Sequence, residues 1–372
     1  MLRFFDIVEH FDWVLFIAVL ALTSLGLVTI YGISISQELV GLFTFYKQLA
    51  ALGIGISLVA GLTFLDYRHL KSFGFLAFLS GAIILILVLF LGETVRGTRG
   101  WFQIGSLSFQ PVELAKLSLI LYISALFSRM SHGRLSWRIF GLSACATMTY
   151  VGLVLLQPDF GSAMVMLGSW IAMCCFAGLP RKAWIILPLC CLVAGGLFWS
   201  FGVKTYQRER ILTFLNPAAD PHGAGYNAAQ ARIAIGSGGW LGKGIGEGSQ
   251  ARLRFLPEAA TDFIFAVIGE ELGFVGISMV LGLSFVLYFR FLTIARESED
   301  EFATFVLIGL GSVFLIHMFV NAGMNLSIVP ITGIPMPFLS AAASSLVVTY
   351  VSIGLAQSIA VRRSGKAKSE QS

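Results

Sequence analysis

Apolar residues in this chain come in long unbroken runs, with little of the alternation that marks strands. Runs near 13–33, 48–65, 73–92, 112–128, 139–156, 162–178, 184–202, 263–289, 303–324 and 340–360 each approach the ~20 residues that carry a helix across a bilayer core. The pattern predicts an all-α polytopic membrane protein with ten transmembrane helices. The first run is too long for a removable signal peptide and lacks a small-residue cleavage site, so it is expected to remain as an anchor. Polar positions interrupt the pattern in one large block, about 203–261, between the seventh and eighth spans. That block still contains apolar groups able to pack, such as Ile211-Leu212-Thr213-Phe214-Leu215 and Ile233-Ala234-Ile235. It therefore reads as an ordered outer loop with short interfacial helices. A polar tail, 362–372, is expected to be disordered, and the whole chain, 1–372, reads as a single integral membrane domain.

Composition agrees and narrows the class. Of the 372 residues, 57% are hydrophobic and only 12% charged, with a mean hydropathy of +0.85. Soluble domains run near 45–50% apolar and 25% charged. This excludes a soluble enzyme, a disordered chain and a nucleic-acid-binding module, despite the net charge of +5. The basic residues act instead as topology signals. With a cytoplasmic N-terminus, 14 Lys and Arg fall in short inner segments, including Arg3, Arg68, Lys71, Arg129, Arg181 and Arg363, and only Lys47, Arg96, Arg99 and Lys116 in short outer ones. That asymmetry places both termini in the cytoplasm and the long loop outside. The five cysteines, Cys145, Cys174, Cys175, Cys190 and Cys191, lie inside apolar runs at no metal-ligand spacing and read as small embedded hydrophobes.

Acidic residues divide between the two ends of the bundle. Asp6, Glu9, Asp12, Asp66 and the Glu297–Glu301 cluster read as solvated inner termini. Glu93, Glu113, Asp159, Glu258, Asp262, Glu270 and Glu271 gather on the outer side with Arg99, Lys116, Arg208 and Arg210. Ionisable groups at membrane depth are functional suspects. Pro111 suits a first helical turn, where Glu113 meets the positive helix end and Lys116 follows three residues on, within pairing range. The pair reads either as a snorkelling helix-end anchor or as the lining of a polar cavity. Asp159 reads as a helix cap or a site residue. Asn321 and Asn325, four apart, share a face of the ninth span. Thr261 is expected to cap the eighth span, with Asp262 in its first turn and Ala266, Gly269, Glu270 and Gly273 below it as a groove.

These residues form motifs. They are Arg99-Gly100-Trp101 through Gln110-Pro111-x-Glu113-x-x-Lys116, Gln157-Pro158-Asp159, Phe214-Leu215-Asn216-Pro217 with Gly223-Ala224-Gly225-Tyr226-Asn227, and Leu256-Pro257-Glu258. Thr261-Asp262-Phe263-Ile264-Phe265 and Pro330-x-Thr332-Gly333-Ile334-Pro335-x-Pro337-Phe338-Leu339-Ser340 follow. In this order, over nearly the whole chain, they resemble the SEDS family of cell-shape and division proteins. Two positions depart from that pattern: Ala260 stands where the family usually has His, and Ala341-Ala342-Ala343 where it has Tyr-Gly-Gly.

The resemblance implies a peptidoglycan glycosyltransferase in the cytoplasmic membrane, polymerising lipid II on its outer face during cell elongation. It implies that Asp262 is the catalytic base. Arg99, Lys116, Arg208 and Arg210 would neutralise the leaving pyrophosphate. Glu113, Asp159, Glu258, Glu270, Asn321 and Ser340 complete the expected substrate site. A divalent cation, Mg or Mn, would assist, with no organic cofactor. The implied partners are a class B penicillin-binding protein, other elongation-complex membrane proteins and membrane lipids, with no nucleic acid. The alternatives are a lipid II flippase and a catalytically weak scaffold that activates a partner transpeptidase.

Overall fold

Where it is described, each of the ten apolar runs folds largely as helix. A computed structural model describes residues 4–36, 39–95, 97–105, 107–130, 135–197, 205–216, 220 and 223–363. The N-terminal half contains α1 (Phe4–His10), α2 (Trp13–Ser36), α3 (Leu39–Phe64), α4 (Arg68–Leu91), α5 (Pro111–Phe127), α6 (Trp137–Leu156), α7 (Phe160–Phe176) and α8 (Ala183–Leu197). The C-terminal half contains α9 (Thr205–Leu215), α10 (Ala224–Ser237), α11 (Ser249–Arg252), α12 (Ile264–Glu297), α13 (Glu301–Asn325) and α14 (Ala343–Arg362). Seven of these, α2, α3, α4, α6, α12, α13 and α14, are long and apolar enough to cross a membrane. The tail beyond 363, Arg3 and Arg134 of the charge count, and the end of the seventh run past Leu197 lie outside the described residues, as do the side chains of Cys190 and Cys191.

Burial explains which helices can carry polar groups. In α14 most of the apolar window is buried inside the protein, and α5 is enclosed along most of its length. These two and α13 form the centre, so polar side chains on them meet protein and not lipid. α3 and α4 keep most of their surface outward.

The expectation of an all-helical chain misses a small sheet. Between α4 and α5 the chain forms β1 (Glu93–Val95), β2 (Thr98–Ile104) and β3 (Leu107–Phe109), paired antiparallel in that order. Gly97 at φ +82° and Gly105 at φ +61° make the reversals, in a backbone region that glycine alone enters cheaply.

Three further features depart from the linear reading. Asp12 is not solvated. It is 3% exposed, paired with Arg290 and Arg363, and its backbone N–H and C=O are both bonded by the Gln357 amide. Three helix ends meet there, and a buried carboxylate needs such partners. Residues 326–342, read as connection and the start of the tenth span, turn back into the bundle without regular structure. Ile334, Met336, Phe338 and Leu339 are buried, and the Phe338 ring lies 5.5 Å from Phe314 and 6.1 Å from Tyr350.

The third feature is a break in α12 at Gly273 (φ 63°, ψ −155°). The loop after α10 fills it. Lys243 and Gly244 donate their N–H groups to the carbonyls of Glu270 and Glu271, while Phe274 and Val275 donate to Gly239 and Trp240. Irregular backbone at membrane depth is tolerated only when its polar groups are satisfied this way. Only glycine lets the strands approach so closely: a methyl group at Gly242 would lie 2.1 Å from the Glu271 carbonyl oxygen.

Candidate active site

Asp262 sits in a turn before α12, not within its first helical turn. The helix begins at Ile264, and Thr261 does not cap it. Instead the Thr261 hydroxyl bonds the Glu258 carboxylate at 3.1 Å, and the Glu258 carbonyl accepts the N–H groups of Thr261, Asp262 and Phe263. Glu258 takes φ +56° to close this turn. The cap expectation fails because a left-handed residue at Glu258 redirects the chain before helical dihedrals begin.

Three successive carbonyls of this turn are held from outside it. Ala341 N–H bonds Ala260 O at 2.8 Å, and the Ser340 hydroxyl bonds Thr261 O at 2.6 Å. Asn321 and Asn325 both donate side-chain N–H groups to Asp262 O, at 3.0 and 3.2 Å. Gln48 in turn fixes Ser340 through its carbonyl at 2.9 Å. The backbone of Asp262 is thus fixed while its half-buried carboxylate stays at the surface of the turn. Gly333 (φ +74°) faces that carboxylate: a methyl group there would come within 3.4 Å of Oδ2. One residue earlier, Thr332 O accepts from the Arg210 guanidinium at 3.4 Å. Arg208, on the same helix α9, is exposed.

A second polar group lies deeper. Lys116 is 3% exposed and donates to Glu113 at 2.8 Å and to His317 Nε2 at 2.9 Å. The His317 Nδ1–H reaches Pro335 O at 3.3 Å, which fixes Nε2 as the acceptor. The snorkelling alternative for Glu113 and Lys116 therefore falls. His317 was missed in the sequence, although it lies four residues before Asn321, on the stripe that continues to Asn325. One face of α13 thus holds Lys116, the Ile334 and Pro335 carbonyls and the Asp262 backbone in sequence.

Asp159 caps α7, accepting from Ser162 N at 2.9 Å and Ser162 Oγ at 2.7 Å, with Gln110 at 3.4 Å. Burial pushes its carboxyl above the usual range, and the two Ser162 bonds and the nearby Lys116 ammonium act against that rise. Glu270 is placed elsewhere. Its carboxylate is taken by Lys243 at 2.7 Å, Ser249 and the Gln250 N–H, and α10 covers the face carrying Ala266 and Gly269. The expected groove of small residues is a helix-packing surface. Arg99 is also apart: it donates to Gly92 O at 3.0 Å and Phe90 O at 2.9 Å, closing the end of α4.

The structure therefore unites Asp262, Glu258, Arg210, Asn321 and Ser340, and ties Glu113 and Lys116 to them through His317. A positioned carboxylate with a neighbouring guanidinium can accept a proton and balance anionic charge. Among the described residues no three His, Cys, Asp or Glu side chains cluster as a metal cage.

Comparison with known proteins bears on these residues. A family described as cell cycle protein, FtsW/RodA/SpoVE, matches residues 12–365. The peptidoglycan glycosyltransferase RodA of Treponema pallidum (strain Nichols) is 31% identical, over 96% of this chain and 99% of its own length. The probable peptidoglycan glycosyltransferase FtsW of Geobacter sp. (strain M18) is 32% identical, over 97% and 99%. A solved chain from a peptidoglycan synthase complex that coordinates polymerization and crosslinking superimposes with a TM-score of 0.80 at 32% identity, covering 95% of this chain and 98% of that one.

Proposed function

The chain belongs to the FtsW/RodA/SpoVE family of cell cycle proteins, and from that premise we propose that it is a peptidoglycan glycosyltransferase with Asp262 as its general base. The observation that carries this reading is the carbonyl clamp on Ala260, Thr261 and Asp262. It spends four hydrogen-bonding groups on three successive carbonyls of one short turn, with Gln48 bracing Ser340 behind them.

The substrate is lipid II, and the reaction forms a glycosidic bond on the outer face of the cytoplasmic membrane. The acceptor sugar's 4-hydroxyl oxygen attacks the anomeric carbon of the donor as the bond to the lipid pyrophosphate breaks. The Asp262 carboxylate takes the hydroxyl proton, and Arg210, with Arg208 beside it on α9, faces the departing phosphate charge. Glu113, Lys116 and His317 hold the Thr332–Pro335 segment against the turn. A divalent cation would have Asp262 and the pyrophosphate oxygens as its donors, and would add Lewis-acid stabilisation of the leaving group.

Ten spans with both termini in the cytoplasm support this geometry, since the basic bias of the short loops then puts Asp262 outside. An elongation role with a class B penicillin-binding protein as partner accompanies the reading, supported by the sequence motifs and by the likeness to a chain from a synthase complex. The test is lipid II polymerisation by the purified chain in liposomes, wild type against Asp262→Asn. The amide keeps the size but cannot accept the proton, so the rate should fall at least about 10²-fold. Partner co-purification should be unchanged. A variant within a few-fold of wild type would remove Asp262 from the chemistry, and transbilayer movement of lipid II without polymer would replace the enzyme with a flippase.

A further inference from the structure

At the end of the bundle away from Asp262, α4 and α5 meet closely and then part. Gly74 marks the close approach, where a methyl group would lie 2.9 Å from Ala125 Cβ. Beyond it opens a cleft of about 180 Å³. Lys71, Ser72, Tyr122 and Arg129 supply its polar lining, and Phe75 and Leu126 its apolar wall. The Tyr122 ring is fixed by stacking on Phe78, centroids 4.8 Å apart, and Phe78 stacks on Tyr150 at 4.9 Å.

Most of the donors converging here lack protein partners. Among the described residues the Arg129 guanidinium makes no ion pair or hydrogen bond, and neither the Tyr122 phenol nor the Ser72 hydroxyl has a hydrogen-bond partner. Other serines nearby, such as Ser80 and Ser118, do bond to helix carbonyls. Lys71 has only a long contact of 3.9 Å with Asp300. A half-buried phenol ordinarily finds an acceptor, and the exposed Arg129 guanidinium and the Lys71 ammonium beside it favour an anion. Every donor in the cleft suits one acceptor-only group with several oxygens.

We propose that the α4–α5 cleft binds the phosphodiester headgroup of an anionic phospholipid. Arg129 would grip the phosphate oxygens as a fork, with Lys71 as a point charge and Tyr122 and Ser72 as neutral donors. The lipid, and not a free anion, is favoured by the wall. Phe75 is 63% exposed, and Leu79 and Ile83, one and two turns further along that face of α4, continue an outward apolar surface at 43% and 48%, along which an acyl chain can lie. The site is also at the end of two spans on the basic side of the molecule, where anionic lipids concentrate and interhelical basic pockets take their headgroups.

The test is native mass spectrometry of the full chain released from detergent, titrated with phosphatidylglycerol and with phosphatidylcholine of the same acyl chains. Wild type should retain phosphatidylglycerol with about tenfold preference, and Lys71→Gln/Arg129→Gln should lose that preference. The matched double variant Arg181→Gln/Lys182→Gln, which removes equal charge elsewhere on the basic side, should keep it. Should the first double variant fail to fold, Tyr122→Phe removes a single oxygen and should weaken phosphatidylglycerol retention about threefold with phosphatidylcholine unchanged. Equal retention by wild type and the cleft variants would overturn the proposal. So would equal loss in the control pair, or displacement of the lipid by millimolar glycerophosphate.

Discussion

Deleting the Lys116 ammonium tests whether the deep polar group is a buried, interlocked unit. In Lys116→Met the Glu113 carboxylate, in a side chain 9% exposed, loses its 2.8 Å partner, and His317 Nε2 loses its donor at 2.9 Å. An exposed helix pair of the same spacing would lose at most about 1 kcal/mol. A buried carboxylate left without its cation costs about 3–5 kcal/mol, and Glu113→Leu, which strands the ammonium, should cost the same. The double variant Glu113→Leu/Lys116→Met removes both charges and leaves only the imidazole nitrogen unpaired, at about 1–3 kcal/mol. It should therefore be more stable than either single variant, with a coupling energy of about 3 kcal/mol or more. The assay is reversible unfolding in mixed micelles over a range of SDS fractions, comparing all four proteins. Single losses below about 1 kcal/mol that add in the double variant would show that the pair is solvated and its tie to His317 inert.

Two further expectations concern backbone geometry. Gly242→Ala places a methyl 2.1 Å from Glu271 O at φ +79°, whereas Gly239→Ala, at φ +58°, meets nothing within 4 Å. The first should cost more than about 4 kcal/mol by forcing the loop out of the α12 break, and the second about 1–2 kcal/mol; equal melting temperatures would refute the plug. Asp159→Asn should keep the α7 cap within about 0.5 kcal/mol while Asp159→Ala loses about 1 kcal/mol. A loss of polymerisation in the stable Asn variant would give Asp159 a role beyond capping.

The run lengths revealed the helices because burial of about twenty apolar residues leaves few other structures in a bilayer. What the runs conceal are the places where backbone polar groups are satisfied by something other than their own helix. Gly273 keeps helical periodicity on both sides, so nothing linear marks the break. It becomes visible only with the Gly238–Gly248 stretch that fills it. Residues 326–342 are apolar but proline-rich, and read as connection, because a segment folded back into the bundle needs partners from α3, from the turn before α12 and from α13 that lie far away in sequence. Among candidate residues, Asp262 and Ser340 were legible through their motifs, and Asn321 through its four-residue spacing to Asn325. Glu270 was misplaced, because a helical wheel cannot see that α10 covers that face. His317 had the same i+4 relation to Asn321 that marked Asn325, and a polar stripe on an otherwise apolar span is the signal that could have found it.

The two departures from the family pattern gain a physical reading from the clamp. Ala260 and Ala341 meet through backbone atoms, N–H to C=O at 2.8 Å, so the bond does not depend on either side chain. None of Ala341, Ala342 and Ala343 takes a positive φ, so the turn into α14 does not require glycine. Replacing His and Tyr-Gly-Gly by alanine thus leaves the presentation of Asp262 intact and removes only side-chain groups, an imidazole and a phenol, from its neighbourhood. The turn itself keeps the Thr261–Glu258 side-chain bond, and Arg210 of the loop helix α9 bonds the Thr332 carbonyl next to Gly333. A motif centred on 260–262 captures the residue, but the groups that hold its backbone come from 321, 325, 340 and 341.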